Sequence, residues 1–173
     1  MVTQGWYALL LLGVVLERGV ELMISRRNEA TQRRRGGVES GAGHYPIMVA
    51  LHAGIFLGCF AESWILDRAF VPMLGYPMVA VLLLSQITRY WVINSLGGRW
   101  TTRVIVVPGD TRVRTGPYRF LRHPNYVAVV AEGIALPLIH SNWITAVLFT
   151  AANSALLFVR IRCEDNALKE MEE

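Results

Sequence analysis

Long apolar runs, each close to the length that crosses a lipid bilayer, dominate this sequence. A transmembrane helix needs about 20 consecutive, mostly apolar residues. Four runs approach that length and a fifth is shorter: Trp6–Ile24, Ile47–Leu66, Phe70–Ser95 and Trp143–Ile161, with Tyr126–Ile139 as the short one. Hydrophobic residues make up 53% of the chain and charged residues 17%, which is unusually apolar for a soluble domain. The runs predict an all-α fold, a polytopic transmembrane helical bundle of about five membrane helices in a single domain over residues 1–173.

Arginines are concentrated in the segments after the first and the third of these runs. The two groups are Arg26, Arg27, Arg33, Arg34 and Arg35, and Arg99, Arg103, Arg112, Arg114, Arg119 and Arg122. The connections on the other side, residues 67–69 and 140–142, contain a single arginine, Arg68, and no lysine. Because basic residues favour cytoplasmic loops, we expect the N-terminus outside, and the arginine-rich segments and the C-terminus in the cytoplasm. This distribution accounts for the net charge of +4, so we expect contact with membrane lipids and no nucleic-acid partner.

Charged residues interrupt the apolar runs at several places. Glu17 and Glu21 share one face of the first run, and Arg18 lies between them in sequence. They either face the bundle interior, where such groups mark a site or a pathway, or lie paired near the cytoplasmic interface. They also argue against a cleaved signal peptide, which would carry a basic segment before its apolar part. Arg89 either anchors the third run at the interface or neutralises a carboxylate within the bundle.

The remaining segments give further expectations. Residues 25–46, rich in arginine and glycine, predict a cytoplasmic loop that either is exposed at the lipid headgroups or forms part of a substrate entrance. Val104–Val107 predicts a short extended segment that ends in a turn at Pro108-Gly109. In the second run, His52 is expected to be a packing residue and Glu62 an interfacial one. The two cysteines lie on separate helices without metal-ligand spacing, so we expect neither a disulfide nor a metal site.

The most polar stretch between two runs is residues 115–126, with the sequence TGPYRFLRHPNY. Its two X-Pro turns hold arginines, a histidine and tyrosines at the mouth of a membrane helix, where polar groups are costly unless they bind something. Arg160, Glu164 and Leu168 share one face of the last helix. If the last two runs form an antiparallel hairpin, Glu164 returns to the side where His123 lies. The stretch therefore predicts a cytoplasmic pocket with charges of both signs, unless Glu164 only forms an ion pair that ties the loop to the helix.

This ordered combination is similar to the isoprenylcysteine carboxyl methyltransferase family, over roughly residues 86–170. The matching motifs are Gly116-Pro117-Tyr118-Arg119, Arg122-His123-Pro124-Asn125-Tyr126, the apolar hairpin and Glu164-Asp165. The family consists of integral membrane methyltransferases that use S-adenosylmethionine. Upstream, Ser25–Glu29 and Gly43–Tyr45 further resemble a small bacterial branch, whose members are associated with O-methylation of long-chain alkylpyrones or alkylresorcinols.

The resemblance implies an integral membrane O-methyltransferase with S-adenosylmethionine as cofactor and a lipidic or prenylated acceptor. The acceptor group would be a carboxylate of the isoprenylcysteine type or the hydroxyl of an alkylpyrone or alkylresorcinol. The residues that would bind S-adenosylmethionine are Val113, Gly116, Pro117, Tyr118, Arg122, His123, Pro124, Tyr126 and Glu164. Methyl transfer needs the acceptor oxygen, the methyl carbon and the sulfonium in line, so positioning supplies much of the acceleration. For catalysis we expect Arg160, Glu164 and Arg89, with Arg160 orienting an anionic acceptor and Arg89 behind it.

Three other functions are compatible with the residues alone. A membrane N-methyltransferase for phospholipid headgroups can share the hairpin and the acidic helix. A small transporter could couple to protons through Glu17, and an assembly subunit could use the polar residues to pair with a partner. The sequence contains no phosphate-binding loop, dinucleotide-binding fingerprint or nucleophile elbow, which argues against the enzyme classes that depend on those motifs.

Overall fold

Residues 2–172, which a computed structural model describes, form a bundle of five α-helices with a two-stranded antiparallel sheet at one end. Side chains are described for residues 3–170. The elements are α1 (Val2–Arg34), β1 (Val38–Ser40), α2 (Tyr45–Ile65), α3 (Pro72–Leu96), β2 (Val104–Val106), α4 (Pro124–Leu138) and α5 (Trp143–Glu172). Short 3-10 turns cover Ala42–His44, Gly97–Arg99 and Gly116–Arg119. The prediction of an all-α membrane bundle is confirmed.

The helices have the length and the apolar surface that a bilayer requires. Among the described residues, α2, α3 and α5 are long and apolar enough to cross a membrane, and α4 is apolar but has only 15 residues. α1 has 33 residues, which corresponds to about 50 Å at about 1.5 Å per residue. Large apolar side chains face outward on all the long helices, for example Leu9, Leu57, Leu84 and Val147. The chain is therefore an integral membrane protein, and the number of spans stays a prediction.

α4 and α5 form an antiparallel hairpin, and its connection is buried. Gly133 allows the two helices to approach closely, because a Cβ at this position would lie 2.2 Å from Cε1 of Phe149. In the connection, the Asn142 amide donates hydrogen bonds to the Cys59 carbonyl at 3.2 Å and to Ser63 Oγ at 2.9 Å. These bonds fasten the hairpin to α2 at the end of the bundle opposite to the sheet.

The expectation of a loop over residues 25–46 is wrong for residues 25–34, which are helical. α1 continues without a break through the first part of this segment. The Asn28 amide donates to the Trp100 carbonyl at 2.8 Å, and the Gln32 amide donates to the Arg99 carbonyl at 3.0 Å. Polar side chains of α1 thus satisfy backbone carbonyls in the turn after α3, and these distant contacts stabilise the polar end of the helix.

The extended segment predicted for Val104–Val107 is confirmed over the three residues of β2. Its partner is β1, with Val38 opposite Val106 and Ser40 opposite Val104. The Arg103 guanidinium, next to β2, lies 2.5 Å from Glu39 of β1 and joins the strands electrostatically. The sheet covers the bundle at the end where the arginines are concentrated, which we call the arginine-rich end.

Glu62 is buried among protein groups at the end of the bundle opposite to the sheet, and its expected position near the membrane interface stays a prediction. Its carboxylate accepts hydrogen bonds from the Thr145 backbone N–H and hydroxyl, both at 2.8 Å, and from the Ile144 backbone N–H at 3.2 Å. These groups belong to the first turn of α5, whose backbone N–H groups have no partners within their own helix. A negative charge is also favourable at a helix N-terminus. Glu62 of α2 therefore caps α5, and Arg68 balances its charge at 3.0 Å.

Candidate functional site

A cavity of about 740 Å³ lies between the five helices and β2, within the range of about 300–1,000 Å³ that is usual for small-molecule sites. The polar stretch of residues 115–126 contributes to its wall at the arginine-rich end, together with residues 99–113. Further into the bundle, apolar side chains cover much of the wall, among them Phe56, Val129, Leu156 and Leu157. One space therefore has a polar end and apolar walls.

Four side chains meet where α4 begins and α5 returns, and we call them the His123–Glu164 cluster: His123, Tyr126, Glu164 and Asp165. His123 Nε2 lies 3.2 Å from Asp165 Oδ1, and His123 Nδ1 lies 3.7 Å from Glu164 Oε1. The Tyr126 hydroxyl donates a hydrogen bond to Glu164, and the Tyr126 ring stacks on the imidazole with 5.5 Å between ring centroids. The antiparallel hairpin thus brings the cationic loop and the acidic helix face together.

The charges in this cluster favour a protonated histidine. Glu164, and after it Asp165, raise the pKa of His123 above its usual value, while partial burial of the ring opposes this effect. At the same end of the cavity, burial raises the pKa of the Tyr118 hydroxyl, so this group remains a neutral hydrogen-bond donor. The cluster therefore offers both a carboxylate for a cation and an imidazolium for an anion.

Arg160 lies on α5 one turn before Glu164 and is almost fully buried. Its Nη2 donates to the Thr102 carbonyl at 2.9 Å, and its Nη1 lies 2.9 Å from Met48 Sδ. Its guanidinium carbon lies 6.0 Å from the centre of the Tyr126 ring. Arg160 lines the cavity, and its buried Nε has no hydrogen-bond partner among the described residues. The side chain is thus held in place by its two terminal nitrogens while one of its donors remains unpaired.

A second group of charges lies deeper in the bundle, and we call it the Arg89 cluster: Arg18, Glu21, Arg89 and Glu132. Arg89 forms a salt bridge with Glu132 of α4, and its Nε lies 3.7 Å from Glu21 Oε1. Arg18 pairs with Glu21 at 2.6 Å and lies 3.8 Å from Glu132. Of the two positions that the sequence allows for Arg89, the structure shows the one in which it neutralises carboxylates within the bundle.

The predicted residues divide into those that line the cavity and those that shape its backbone. The lining residues are Val113, Tyr118, Arg122, His123, Tyr126 and Glu164, together with Arg89 and Arg160. Three predicted cofactor residues are outside the lining set: Gly116, Pro117 and Pro124. Gly116 has φ of 59° and allows the loop to pass close to α3, and Pro124 begins α4. We infer that these three residues position their neighbours.

Sequence reasoning missed some polar residues that line the cavity. Asn125 Oδ1, Asn153 Oδ1 and Trp100 Nε1 are buried, and in residues 3–170 none has a hydrogen-bond partner. Asn153 could have been found, because it is a polar residue inside an apolar run and lies seven residues before Arg160, on the same helix face. For Trp100 the sequence gives no signal. In the same part of the chain, no three His, Cys, Asp or Glu side chains are placed to hold a metal ion.

Comparison with known proteins covers both halves of the chain. The model of the isoprenylcysteine carboxyl methyltransferase (ICMT) family matches residues 78–170. The chain is 39% identical over 163 residues to the uncharacterized protein YpbQ of Bacillus subtilis. The aligned residues make up 94% of this chain and 96% of that protein. It is 24% identical over 157 residues to an uncharacterized protein of Haemophilus influenzae, with 89% and 90% of the two chains covered. The family match contains both motifs of the polar stretch and the whole of the His123–Glu164 cluster.

Proposed function

The chain belongs to the isoprenylcysteine carboxyl methyltransferase family of S-adenosylmethionine-dependent membrane methyltransferases, and we propose that it is an O-methyltransferase that acts on a lipidic acceptor. The observation that carries the proposal is the single cavity in which the His123–Glu164 cluster and Arg160 continue into apolar walls between membrane helices. A water-soluble cofactor suits the polar end, and an acceptor with a long apolar tail suits the walls. The acceptor is a hydroxyl or a carboxylate on such a tail.

The residues at the polar end fit S-adenosylmethionine chemically. Glu164 would bind the ammonium group and His123 the carboxylate, since charge-assisted hydrogen bonds of this kind are strong. Tyr118 and the backbone from Val113 would face the adenosine. The buried Asn125 Oδ1 lacks a partner in the described part of the chain and is an acceptor that such a ligand can satisfy. When bound, the cofactor supplies an electrophilic methyl group on a positively charged sulfur.

The protein's own contribution is to position the acceptor and to exclude water. Correct alignment of two reactants can supply about 7–11 kcal/mol of the acceleration in favourable systems. Arg160 would orient an anionic acceptor such as a carboxylate, because it lines the cavity one turn from Glu164 and its two terminal nitrogens are fixed by Thr102 and Met48. The apolar walls guide the acceptor tail from the bilayer and keep water away from the reacting atoms. With the arginine-rich end in the cytoplasm, the polar end is open to the cytoplasmic cofactor pool.

Calorimetric titration of S-adenosylmethionine into detergent-purified protein tests the cofactor site. Wild type should bind with micromolar affinity, and Glu164→Gln should lose at least tenfold in affinity because the ammonium loses its carboxylate. Glu170→Gln is the matched control, since Glu170 lies on the same helix, is exposed and does not line the cavity. Absence of binding to well-folded wild type would overturn the proposal. So would equal binding by the Glu164 variant.

The methylated atom can be identified with a radiolabelled methyl group. A methyl ester releases its label as methanol in mild alkali, whereas an aryl or enol ether and an N-methyl group keep it under those conditions. Suitable acceptors are N-acetyl-S-farnesylcysteine for the carboxylate, pentadecylresorcinol for the hydroxyl and phosphatidylethanolamine for the amine. Labelling of phosphatidylethanolamine alone would replace the O-methyltransferase with the competing N-methyltransferase.

A further inference from the structure

Glu21 of α1 is a buried carboxylate in the cavity lining, and one of its oxygens has no hydrogen-bond partner among the described residues. The residue is 4% exposed, and it lines the cavity together with Arg18 and Arg89. One carboxylate oxygen pairs with Arg18 at 2.6 Å. The other, Oε1, has no hydrogen-bond partner in the described chain, and neither has the nearby Nε of Arg89. A ligand that donates a hydrogen bond to Oε1 would satisfy this buried oxygen.

The charge balance around Glu21 allows it to gain a proton. Three carboxylates belong to this region, those of Glu17, Glu21 and Glu132, because Glu17 also lies 3.5 Å from Arg18. They share two guanidinium groups, those of Arg18 and Arg89. One negative charge is therefore in excess, and protonation of one carboxylate makes the group neutral. Glu132 is bound directly by Arg89, whereas Glu21 Oε1 lies 3.7 Å from Arg89 Nε and has no hydrogen-bond partner among the described residues. Of the three carboxylates, that of Glu21 belongs to the cavity lining.

The distance from the proposed cofactor contacts can be followed along α5 and α1. Arg160 lies four residues before Glu164, and it donates to the Thr102 carbonyl at 2.9 Å. The Thr102 backbone N–H donates to Ser25 Oγ, also at 2.9 Å, and Ser25 lies four residues after Glu21. Each four-residue step along a helix is about 6 Å, so Glu21 lies about 12 Å further into the bundle than Glu164.

α4 gives an independent measure of the same spacing. Tyr126 contacts Glu164, and Glu132, six residues further on, contacts Arg89. Six residues of α-helix correspond to about 9 Å. A gap of roughly 9–12 Å accommodates the amino-acid end of the cofactor, a reacting pair about 3–3.5 Å apart and one hydrogen bond of about 3 Å to a base.

We propose that Glu21 is the general base of the reaction and removes the proton from a hydroxyl acceptor, while Arg89 stabilises the oxygen that becomes negative. This inference rests on the proposed function. The acceptor oxygen bonds to the methyl carbon as the methyl–sulfur bond breaks with its electron pair staying on sulfur, and the hydroxyl proton passes to Glu21 Oε1. Water takes up this proton after the product leaves. A carboxylate acceptor is already ionised and gains nothing from the base, so Glu21 marks the site as one for neutral hydroxyl acceptors.

Glu21→Gln in the full-length protein, with pentadecylresorcinol as the acceptor, tests the inference. Calorimetry should give an S-adenosylmethionine affinity within about twofold of wild type, and quenching of tryptophan fluorescence should show that the acceptor still binds, because Trp100 lines the cavity. The turnover number should fall by a factor on the order of 100 with little change in KM, which is the usual contribution of a general base. The remaining rate should rise about tenfold per pH unit, because only acceptor that is already ionised then reacts.

Two variants guard against a merely structural effect. Glu21→Asp keeps the carboxylate and should retain more activity than Glu21→Gln, and Glu170→Gln should behave as wild type. Wild-type turnover and pH profile in Glu21→Gln would overturn the inference, as would parallel loss of cofactor binding. Methylation of N-acetyl-S-farnesylcysteine alone by wild type would overturn it too, but would leave the proposed function intact. Failure of wild type to bind S-adenosylmethionine would remove both proposals.

Discussion

Gly116 gives the sharpest test of how the polar loop is held against the bundle. Its φ of 59° is in the left-handed region, and a Cβ at this position would lie 2.0 Å from Ser95 Oγ and 2.9 Å from Ser95 Cβ on α3. The left-handed backbone costs a residue with a Cβ about 1–2 kcal/mol. Moving the Ser95 hydroxyl also breaks its 2.7 Å hydrogen bond to the Trp91 carbonyl, worth about 1 kcal/mol. We therefore expect Gly116→Ala to reduce the free energy of unfolding by about 2–3 kcal/mol.

The two costs can be separated with a double-mutant cycle. Ser95→Gly removes the two nearest atoms that the new Cβ would meet and leaves Trp91 Nε1 at 3.2 Å. The double variant should therefore recover about 1 kcal/mol relative to the sum of the single variants. Unfolding should be followed by circular dichroism in one detergent at one protein concentration. S-adenosylmethionine affinity should fall about tenfold in Gly116→Ala, because the displaced loop carries Val113 and Tyr118.

Gly98→Ala is the matched control for this cycle. Gly98 has no atom within 4 Å of its Cβ position and does not have the left-handed φ of Gly116. Its replacement should change stability by less than about 0.5 kcal/mol. Wild-type stability in Gly116→Ala would refute the argument about the backbone. Simple additivity in the cycle would refute the contact with Ser95.

The remaining predictions concern two other charged contacts. The His123 imidazolium interacts with Glu164 and Asp165, and this interaction stabilises the fold. The stabilisation is complete at pH values below the ordinary histidine pKa of about 6.5. It is lost as the pH rises through the higher pKa that His123 has in the folded state. The difference in melting temperature between wild type and His123→Asn should therefore be largest in acid and shrink with rising pH; a constant difference would contradict this. Glu62→Gln should lower the free energy of unfolding by about 1–3 kcal/mol, because the first turn of α5 and Thr145 lose a charged acceptor. Thermal unfolding should be measured for Glu62→Gln, with Glu170→Gln as the control. Equal melting temperatures for the two variants would show that the cap contributes little.

The membrane helices were predictable because the bilayer imposes a local rule. Spanning segments must be long, apolar and internally hydrogen-bonded, and each of these properties can be read from a short window of sequence. The short run Tyr126–Ile139 accordingly falls within two residues of α4 at its start and within one at its end. The polar end of α1 was not predictable, because Asn28 and Gln32 stabilise it through carbonyls that lie about 70 residues away.

The candidate site was predictable only in part, for the same reason. The motif predicts that His123 and Glu164 meet once a hairpin is assumed, because His123 lies just before one apolar run and Glu164 just after the next. The partners of Arg89 depend on how α1, α3 and α4 rotate about their axes, and the sequence leaves that rotation open. Gly116 is predicted from the motif as a cofactor contact. Its left-handed conformation and its close approach to Ser95 indicate instead that it shapes the loop.

The two functions of the cavity come from different parts of the chain. The family match begins at residue 78 and so includes the proposed cofactor contacts, whereas Glu21 lies on α1, outside the match. α1 is joined to the matched part by Asn28 and by Ser25, which bonds to Thr102 beside Arg160. Changes in α1 can therefore alter the groups that face the acceptor while the cofactor contacts on α4 and α5 stay in place. On the two proposals above, the matched C-terminal part would bind the methyl donor, and the first helix would supply the base that a hydroxyl acceptor needs.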